Sequence, residues 1–262
     1  MSQRIRLIDA FTGVGMRGNP AGVCLLAVAP SDIWMQRVAE ELNQAETAFA
    51  WPEGDSFRLR WFTPVREVDL CGHATLACAY GMFADDLSLS DVEFLTRSGL
   101  LHCRRHDNFV EMDFPAQPCE PAPIPDALLS QLSGRTLWHG AAGGDFLAVF
   151  DSPNEVRDFV PDFSAIAAVD VRGLIITAKA ENSEFDFVSR FFAPQYGIPE
   201  DSVTGSAHCA LAPFWAERLG QARFRAHQAS PRGGVLELEV VGDRVMLRGA
   251  ATVTLEGVIA AD

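Results

Sequence analysis

The residues of this sequence whose types and spacing best suit chemistry lie in one stretch, residues 200–210. Asp201 stands before Gly205, Ser206 directly follows that glycine, and residues 211–215 are apolar. The pattern predicts a loop that enters a buried helix at Gly205. Because the first backbone N–H groups of a helix have no partner within it, they can bind an anion. The carboxylate and the hydroxyl beside them can move a proton.

A second stretch repeats this order of features earlier in the chain. Residues 60–64 predict an aromatic strand that ends in proline, and a connector leads from them to a helix that begins at Gly72. Residues 190–194 predict a strand of the same kind, followed by a connector and the helix that begins at Gly205. Both helices are largely apolar around their circumference, as expected of helices buried on all sides. The repeat predicts two similar α+β units.

The predicted fold is α+β, with two similar pseudo-symmetric lobes, each a curved, mostly antiparallel sheet or barrel around a central buried helix. A proline-rich stretch, residues 115–125, is the predicted connection between the lobes. We expect an N-terminal lobe over residues 1–116, to which residues 250–262 return, and a C-terminal lobe over residues 117–249. If the lobes face each other, both helix N-termini point into one cleft, where their dipoles favour a carboxylate substrate or an enolate.

Composition limits the classes of function that the chain can have. Its 262 residues are 48% hydrophobic and carry a net charge of −14 with no basic block, so we expect no nucleic-acid partner. The one lysine, Lys179, falls in a predicted strand end or loop, residues 178–182, and any Schiff-base chemistry would depend on it. The six cysteines form no CxxC pair, and neither a signal segment nor a membrane-length apolar run is present. These features predict a cytoplasmic protein with no membrane partner.

Several motifs along the whole chain resemble those of the PhzF-like proteins of phenazine biosynthesis, which share the diaminopimelate-epimerase fold. The motifs are Asp9-Ala-Phe-Thr, Gly18-Asn-Pro-Ala-Gly-Val, Asn43-Gln-Ala-Glu-Thr, Cys71-Gly-His-Ala-Thr and Asp201-Ser-Val-Thr-Gly-Ser-Ala. They fall in both halves of the sequence and in the order that the family has. The resemblance implies a homodimeric isomerase that needs no cofactor and moves a proton on a small carboxylate-bearing metabolite. The best-known activity of the family is isomerisation of trans-2,3-dihydro-3-hydroxyanthranilate.

The resemblance also implies which residues act. Carried over by motif, the acid–base residues are Glu46, His73, Asp201 and Ser206, with Glu46 moving the proton and His73 and Asp201 assisting. Ser206 is better suited to bind the substrate than to act as a nucleophile, because no histidine-activated triad spacing surrounds it. We expect further contacts with the anionic substrate from a second set of residues: Asn19, Gly72, Ala74, Thr204, Gly205, Arg232 and Gly233.

Other interpretations of these residues stay open. Related epimerases use two cysteines, one before each helix-start glycine, whereas this chain has Cys71 at one position and Thr204 at the other. An amino-acid racemase or epimerase would therefore rely on Cys71 alone. A third possibility is a non-catalytic small-molecule binding protein of the same fold. Asp201 either orients His73 or the substrate amine, or caps the helix. Arg232 lies either at the substrate carboxylate or in a plain hairpin loop.

A zinc site is the least favoured interpretation of the cysteines and histidines. The conceivable ligand set is Cys71, His73, His208 and Cys209. Neighbouring positions on a helix lie about 100° apart around its axis. Because His208 and Cys209 are neighbours on a predicted helix, they cannot readily face one ion, and we expect no metal.

Overall fold

The computed structural model describes residues 2–181 and 184–260. Three ranges given above extend beyond this part of the chain. The N-terminal lobe begins at residue 1, its returning segment ends in residues 261–262, and the predicted loop after Lys179 includes residue 182. Within the described residues, no helix is long and apolar enough to cross a membrane.

The first of two compact units comprises residues 1–113 and 248–262. Its elements are β1 Ser2–Thr12, β2 Asn19–Leu25, α1 Asp32–Leu42, β3 Glu46–Glu53, β4 Ser56–Phe62, β5 Glu67–Val68, α2 Gly72–Asp85, β6 Asp91–Thr96, β7 Gly99–His106, β8 Phe109–Pro115 and most of β17 Arg244–Ala260. Along the order β17, β1, β2, β3, β4, β6, β7 and β8 the strands pair antiparallel, except β2 with β3 and β4 with β6, which pair parallel. β17 also pairs with β8, so the sheet closes into a barrel.

Helix α2 occupies the interior of this unit, against β1, β2, β3 and β7. Ala74, Leu76 and Ala77 are fully buried, and the small side chains of Ala74 and Ala77 let the strands approach the helix closely. Burial raises the pKa of the Cys78 thiol well above its ordinary value, so this cysteine is a neutral core residue. Helix α1 packs on another face of the sheet through Met35 and its neighbours.

The second unit comprises residues 114–247. Its elements are β9 Cys119–Pro121, α3 Leu129–Leu132, β10 Thr136–Ala142, β11 Asp145–Phe150, α4 Pro153–Arg157, α5 Phe163–Ala167, β12 Leu174–Lys179, β13 Phe187–Ala193, β14 Ile198–Asp201, α6 Gly205–Leu219, β15 Arg223–Gln228, β16 Gly234–Val241 and the start of β17. Here too the antiparallel pairings alternate with two parallel ones, β11 with β12 and β13 with β15. The second unit therefore repeats the strand pattern of the first.

Strand β13 separates two layers of side chains, because successive residues of a strand point to opposite faces of the sheet. Ser189 faces helix α6, where its hydroxyl lies 3.3 Å from Nε2 of His208. Val188 and Phe192 face the other way and pack with residues of α4 and α5. Helix α6 is also held by Trp215, whose indole N–H donates to Thr177 Oγ1 of β12 at 3.2 Å.

Each unit fastens the segment before its buried helix with an arginine and a glutamate. In the first unit, Arg60 of β4 donates from Nε and Nη2 to the two carboxylate oxygens of Glu67 in β5, both at 2.6 Å. In the second, Arg190 of β13 donates from the same two nitrogens to Glu200 in β14, at 2.7 and 3.0 Å. The repeated arginine of the sequence pattern is therefore structural, and Glu200 belongs to this clamp.

The structure corrects several boundaries that the sequence predicted. The stretch predicted as a loop before Gly205 begins in strand β14. This strand has four residues, too few to show an alternation of apolar and polar side chains in the sequence. The sequence predicts separate strands over residues 244–248 and 252–259, and the structure joins them in the single strand β17. Gly249 does not mark a turn between them; a Cβ there would clash with the side chain of Phe11, so the glycine allows close packing.

The proline-rich stretch is part of the second unit. Its residues 119–121 form β9, which pairs antiparallel with β10. Two backbone N–H groups before β9 are also bonded: that of Ala116 donates to Asp243 O at 2.8 Å, and that of Gln117 donates to Cys209 O at 2.9 Å. These bonds hold the backbone of the stretch against other residues of the second unit.

Candidate active site

Glu46 is the first residue of β3 and follows helix α1 closely. Asn43 ends α1 in a left-handed conformation, φ 47° and ψ 41°, which turns the chain toward the sheet. Glu46 then pairs in parallel register with Ala21 of β2, and it is 9% exposed. A carboxyl group at the buried start of a central strand is held in one place by the sheet on which it stands.

His73 stands in the first turn of α2, directly after Gly72. Cys71 is the N-cap residue in an extended conformation, and its side chain makes no capping hydrogen bond. The turn is fixed instead by Thr75, whose hydroxyl donates to Cys71 O at 2.6 Å. The imidazole of His73 is 4% exposed, so α2 presents a buried titratable group at its start.

Glu46, Cys71 and His73 form one buried cluster in the first unit. Nε2 of His73 lies 3.4 Å from Oε2 of Glu46, and its Nδ1 lies 3.5 Å from Sγ of Cys71. Nε2 makes no hydrogen bond within the described part of the chain. A buried nitrogen without a hydrogen bond calls for an explanation, and a ligand that bonds to it is one such explanation. Carboxyl and imidazole groups so placed can exchange a proton with a ligand that comes within hydrogen-bond reach.

The same cluster offers one ligand atom each from three residues, all within 4.8 Å of one another. Three protein ligands are the number that catalytic zinc sites use. Of the zinc ligands considered from the sequence, only Cys71 and His73 belong to this cluster. The other two, His208 and Cys209, make hydrogen bonds within the second unit. His208 contacts Thr204 O through Nδ1 at 2.8 Å, and the thiol of Cys209 donates to Gly205 O. Burial lowers the pKa of His208 to about 4 and raises that of Cys209 to about 12.

The start of α6 in the second unit is organised by Gln228, a fully buried residue at the end of β15. Its Oε1 accepts from the backbone N–H of Thr204 at 2.7 Å, and its Nε2 donates to Asp201 O at 2.8 Å. Thr204, not Asp201, is the N-cap residue. The carboxylate of Asp201 accepts a hydrogen bond from the Thr204 hydroxyl at 2.6 Å. The loop from Asp201 to Thr204 is thus fixed at both ends by one side chain.

Ser206 lies one residue inside α6, and its hydroxyl accepts a hydrogen bond from Nη1 of Arg172 at 2.8 Å. Arg172 is in turn held by Asp145, which accepts from Nε at 2.8 Å and from Nη2. Burial raises the pKa of Asp145, and the hydrogen bonds from Arg172 oppose that rise. Arg172 brings a positive charge to Ser206.

Arg232 and Gly233 lie in the loop that joins β15 to β16. Gly233 has a φ of +66°, and its N–H donates to Ser230 Oγ at 3.1 Å. The Ser230 hydroxyl donates to Ser202 O at 2.7 Å, so this loop is fastened to the segment that leads into α6. The structure therefore brings Gly233 and Thr204 into one part of the second unit.

The remaining predicted substrate contacts flank the helix starts or lie deeper. Gly72 and Gly205 begin the two helices, and Gly205 is buried. Asn19 is 1% exposed at the start of β2, two residues before the Ala21 that pairs with Glu46. Ala74 is fully buried, so its side chain is a core residue and only its backbone can take part in binding.

Arg172, Asp145 and Gln228 were not singled out from the sequence. Gly143-Gly144 before Asp145, and Ala229-Ser-Pro231 after Gln228, are turn signals that mark strand ends. They show where a polar residue leaves a strand, but not which helix it meets. That information comes only from the pairing of β11 with β12 and of β13 with β15.

The chain is similar to known proteins over nearly its whole length. A family profile described as phenazine biosynthesis-like protein, PhzC-PhzF, matches residues 8–257. The chain belongs to this family. Its relatives include an uncharacterized isomerase of Halalkalibacterium halodurans, 45% identical over 258 residues, with 97% of each chain covered. An uncharacterized isomerase of Pseudomonas aeruginosa is 44% identical over 261 residues, with 99% of each chain covered.

Solved structures agree with this membership in the phenazine biosynthesis-like family. A crystal structure of a PhzF-family phenazine biosynthesis protein from Enterococcus faecalis has a TM-score of 0.94 and 40% sequence identity, with all of both chains covered. A hydroxyproline epimerase from Agrobacterium vitis has a TM-score of 0.64 and 13% identity, covering 100% of this chain and 92% of that one. The second match shows the fold alone. The family, the α+β fold class and the enzyme class, an isomerase, are confirmed predictions.

Proposed function

We propose that this phenazine biosynthesis-like protein is an isomerase that moves a proton on a small carboxylate-bearing metabolite, with Glu46 as the proton carrier. The observation that supports the proposal is the pair of Glu46 Oε2 and His73 Nε2, 3.4 Å apart and buried, with no hydrogen bond to Nε2 from the described residues. The resemblance of the motifs makes trans-2,3-dihydro-3-hydroxyanthranilate the first compound to test.

The proposed reaction balances without an oxidant or a reductant. Glu46 as a carboxylate takes a proton from one carbon, and the electron pair of that C–H bond moves through the adjacent double bond. The carboxylic acid so formed returns the proton to the carbon at the far end of the conjugated system. His73 donates to or accepts from the substrate beside Glu46. For Asp201 and Ser206 we propose a part in binding its polar groups, on the basis of their motif.

The proposal is tested by NMR in D2O with the wild-type protein and the Glu46→Gln variant. We expect the wild type to convert the compound with a shifted double bond, and Glu46→Gln to lose two to four orders of magnitude in rate, the usual share of general acid–base catalysis. Glu40→Gln is the matched control, because Glu40 is an exposed glutamate of α1 in the same unit. Turnover by Glu46→Gln within tenfold of wild type would contradict the role of Glu46.

Two other functions give different results when the protein is incubated in D2O with this compound and with a chiral amino acid. A racemase that relies on Cys71 would place deuterium at Cα of a recovered amino acid without moving a double bond. A non-catalytic binding protein would bind the compound and leave it unchanged. The structure does not favour two-thiol chemistry, because Thr204 holds the N-cap position of α6 that Cys71 holds in α2.

A further inference from the structure

We propose that Arg172 is a positioning residue that acts through Ser206, setting its hydroxyl as a hydrogen-bond donor to the carboxylate of the substrate. The proposal rests on the function proposed above and adds a residue that the motifs do not contain. The supporting observation is the set of hydrogen bonds that Arg172 makes. Its Nε and Nη2 donate to Asp145, whereas its Nη1 donates to Ser206.

One edge of the guanidinium group is fixed by a buried carboxylate. Nε of Arg172 donates to Oδ1 of Asp145 at 2.8 Å, and Nη2 donates to Oδ2. The Asp145 side chain has no exposed surface. A two-point contact between an arginine and a carboxylate fixes the plane of the guanidinium group as well as its position.

The backbone that carries Arg172 is held as firmly as its side chain. The N–H of Arg172 donates to Gly144 O at 2.6 Å, and Nε2 of Gln195 donates to Arg172 O at 2.8 Å. The next residue, Gly173, is packed so closely against Phe191 that a Cβ there would clash with the ring. With its backbone held and Nε and Nη2 bonded to Asp145, Arg172 has Nη1 left to donate to another group.

That nitrogen, Nη1, donates to Ser206 Oγ at 2.8 Å. A guanidinium group has donors only, so Ser206 must use an oxygen lone pair for this bond and keeps its own hydrogen to donate elsewhere. A bond from a charged donor also polarises the hydroxyl and makes it a better donor. Ser206 is half-buried and 37% of the Arg172 side chain is exposed, so a ligand can reach both.

An ion pair that only stabilised the second unit would need Arg172 and Asp145, but not Ser206. The bond to Ser206 is the feature that points to a ligand, because it joins a charged donor to a residue of the motif that begins at Asp201. A carboxylate accepts a stronger hydrogen bond from such a hydroxyl than a neutral amide of the same shape does. The inferred role is therefore selection by charge.

The experiment measures binding of 2-aminobenzoate and of its neutral analogue 2-aminobenzamide by titration calorimetry. We expect the wild type to prefer the carboxylate at least tenfold, and Ser206→Ala and Arg172→Met each to lose most of that preference. The Arg172→Met/Ser206→Ala double variant should lose little more than either single one, because both changes remove the same donor. Arg172→Lys keeps a charge opposite Asp145 and should fold while recovering only part of the preference. It covers the case in which Arg172→Met does not fold.

Arg223→Met is the matched control, since Arg223 is an exposed arginine of the same unit whose side chain is 79% exposed beside Glu239. It should bind both compounds as the wild type does. The proposal is overturned if the wild type does not prefer the carboxylate, if Arg172→Lys keeps the whole preference, or if the effects of the two single variants add. Because binding is measured without turnover, a failed isomerase assay leaves this result unaffected.

Discussion

At the start of α2 the chain places Cys71, Gly72 and His73, and at the start of α6 it places Thr204, Gly205 and Ser206. Neither N-cap side chain makes a capping hydrogen bond. The two starts thus share one backbone plan, with a different side chain on each side of the glycine. The first has a thiol and an imidazole beside the carboxyl group of Glu46. The second has two hydroxyls, one of which donates to the carboxylate of Asp201.

The supporting bonds of the two starts match in position and differ in chemistry. Four residues after the N-cap, Thr75 in α2 and His208 in α6 each contact the carbonyl oxygen of the N-cap residue, at 2.6 and 2.8 Å. The comparison teaches that the repeat preserves the contacts that hold a helix start. It leaves free the residue after the glycine, which is His73 in the first start and Ser206 in the second.

The largest expected effect comes from making the first start resemble the second. We expect His73→Ser to lower kcat on any substrate of the wild type by about 10²- to 10⁴-fold, because it removes the imidazole beside Glu46. Steady-state kinetics measure this, with His102→Ser as control, since the His102 side chain is 61% exposed. If His73→Ser kept its rate, the two starts would not differ in proton transfer.

The two arginine clamps should differ in stability. Arg190 donates through Nη1 to three backbone carbonyls, of Val156, Arg157 and Phe159, in addition to its bonds to Glu200. We expect Arg190→Met to lower the free energy of unfolding by about 4 kcal/mol, because it strands a half-buried carboxylate and these carbonyls.

Arg60→Met should cost about half as much, roughly 2 kcal/mol, because Glu67 keeps Arg97 as a partner at 2.7 Å. Urea unfolding of both variants measures the difference. Equal losses would show that the carbonyl bonds of Arg190 add nothing to its clamp.

Thr75 and His208 hold equivalent positions in the two helix starts, but only His208 should make stability depend on pH. Burial lowers the pKa of His208 to about 4, whereas the unfolded chain binds that proton near the ordinary histidine value of 6.5. Stability from this group is therefore complete above pH 6.5 and falls as the pH drops toward 4. The total loss is about 3 kcal/mol, since one pKa unit corresponds to about 1.4 kcal/mol.

His208→Thr is the matched variant, because it copies Thr75 and removes the titrating ring. Urea unfolding at pH 7 and pH 4.5 should show a smaller difference for His208→Thr than for the wild type. The same pH difference in both proteins would contradict the assignment of this acid sensitivity to His208.

The smallest expected effect is that of Thr75→Val. The change removes the hydroxyl that donates to Cys71 O and keeps the shape of a fully buried side chain. We expect a loss of about 1 kcal/mol in the free energy of unfolding, the usual net contribution of one hydrogen bond. Turnover should stay within about threefold of the wild type; a larger loss would mean that this bond positions His73.

The sequence predicted both helix starts because glycine followed by an apolar run is a local signal. Local signals also predict a helix that Ser31 caps and that ends near Asn43. In α1, Ser31 accepts from Trp34 N and Asn43 ends the helix in a left-handed conformation. The family and the fold class followed from motifs and are confirmed, whereas the roles of Glu46, His73, Asp201 and Ser206 stay predictions. The short strands β5 and β14 were not predicted, because two to four residues are too few to show the alternation of apolar and polar side chains that marks a strand.

Arg172 and Asp145 could not be paired from the sequence, because 27 residues separate them and neither lies in a motif. Gln228 was visible as a polar residue at a strand end, but its partners Asp201 and Thr204 lie 27 and 24 residues away. Contacts of this range depend on which strands become neighbours. Parallel pairings such as β13 with β15 are the kind that local patterns specify least.

Strand β17 has a consequence for the order in which the chain can fold. Ala260 pairs with Ser2, and the other partners of β1 in β17 lie almost as far away along the sequence. A ribosome releases the N-terminal strand long before the strand that completes its barrel exists. The first unit must therefore keep an unpaired edge on β1 while the second unit is synthesised, because the strand that pairs with this edge follows the second unit in the chain.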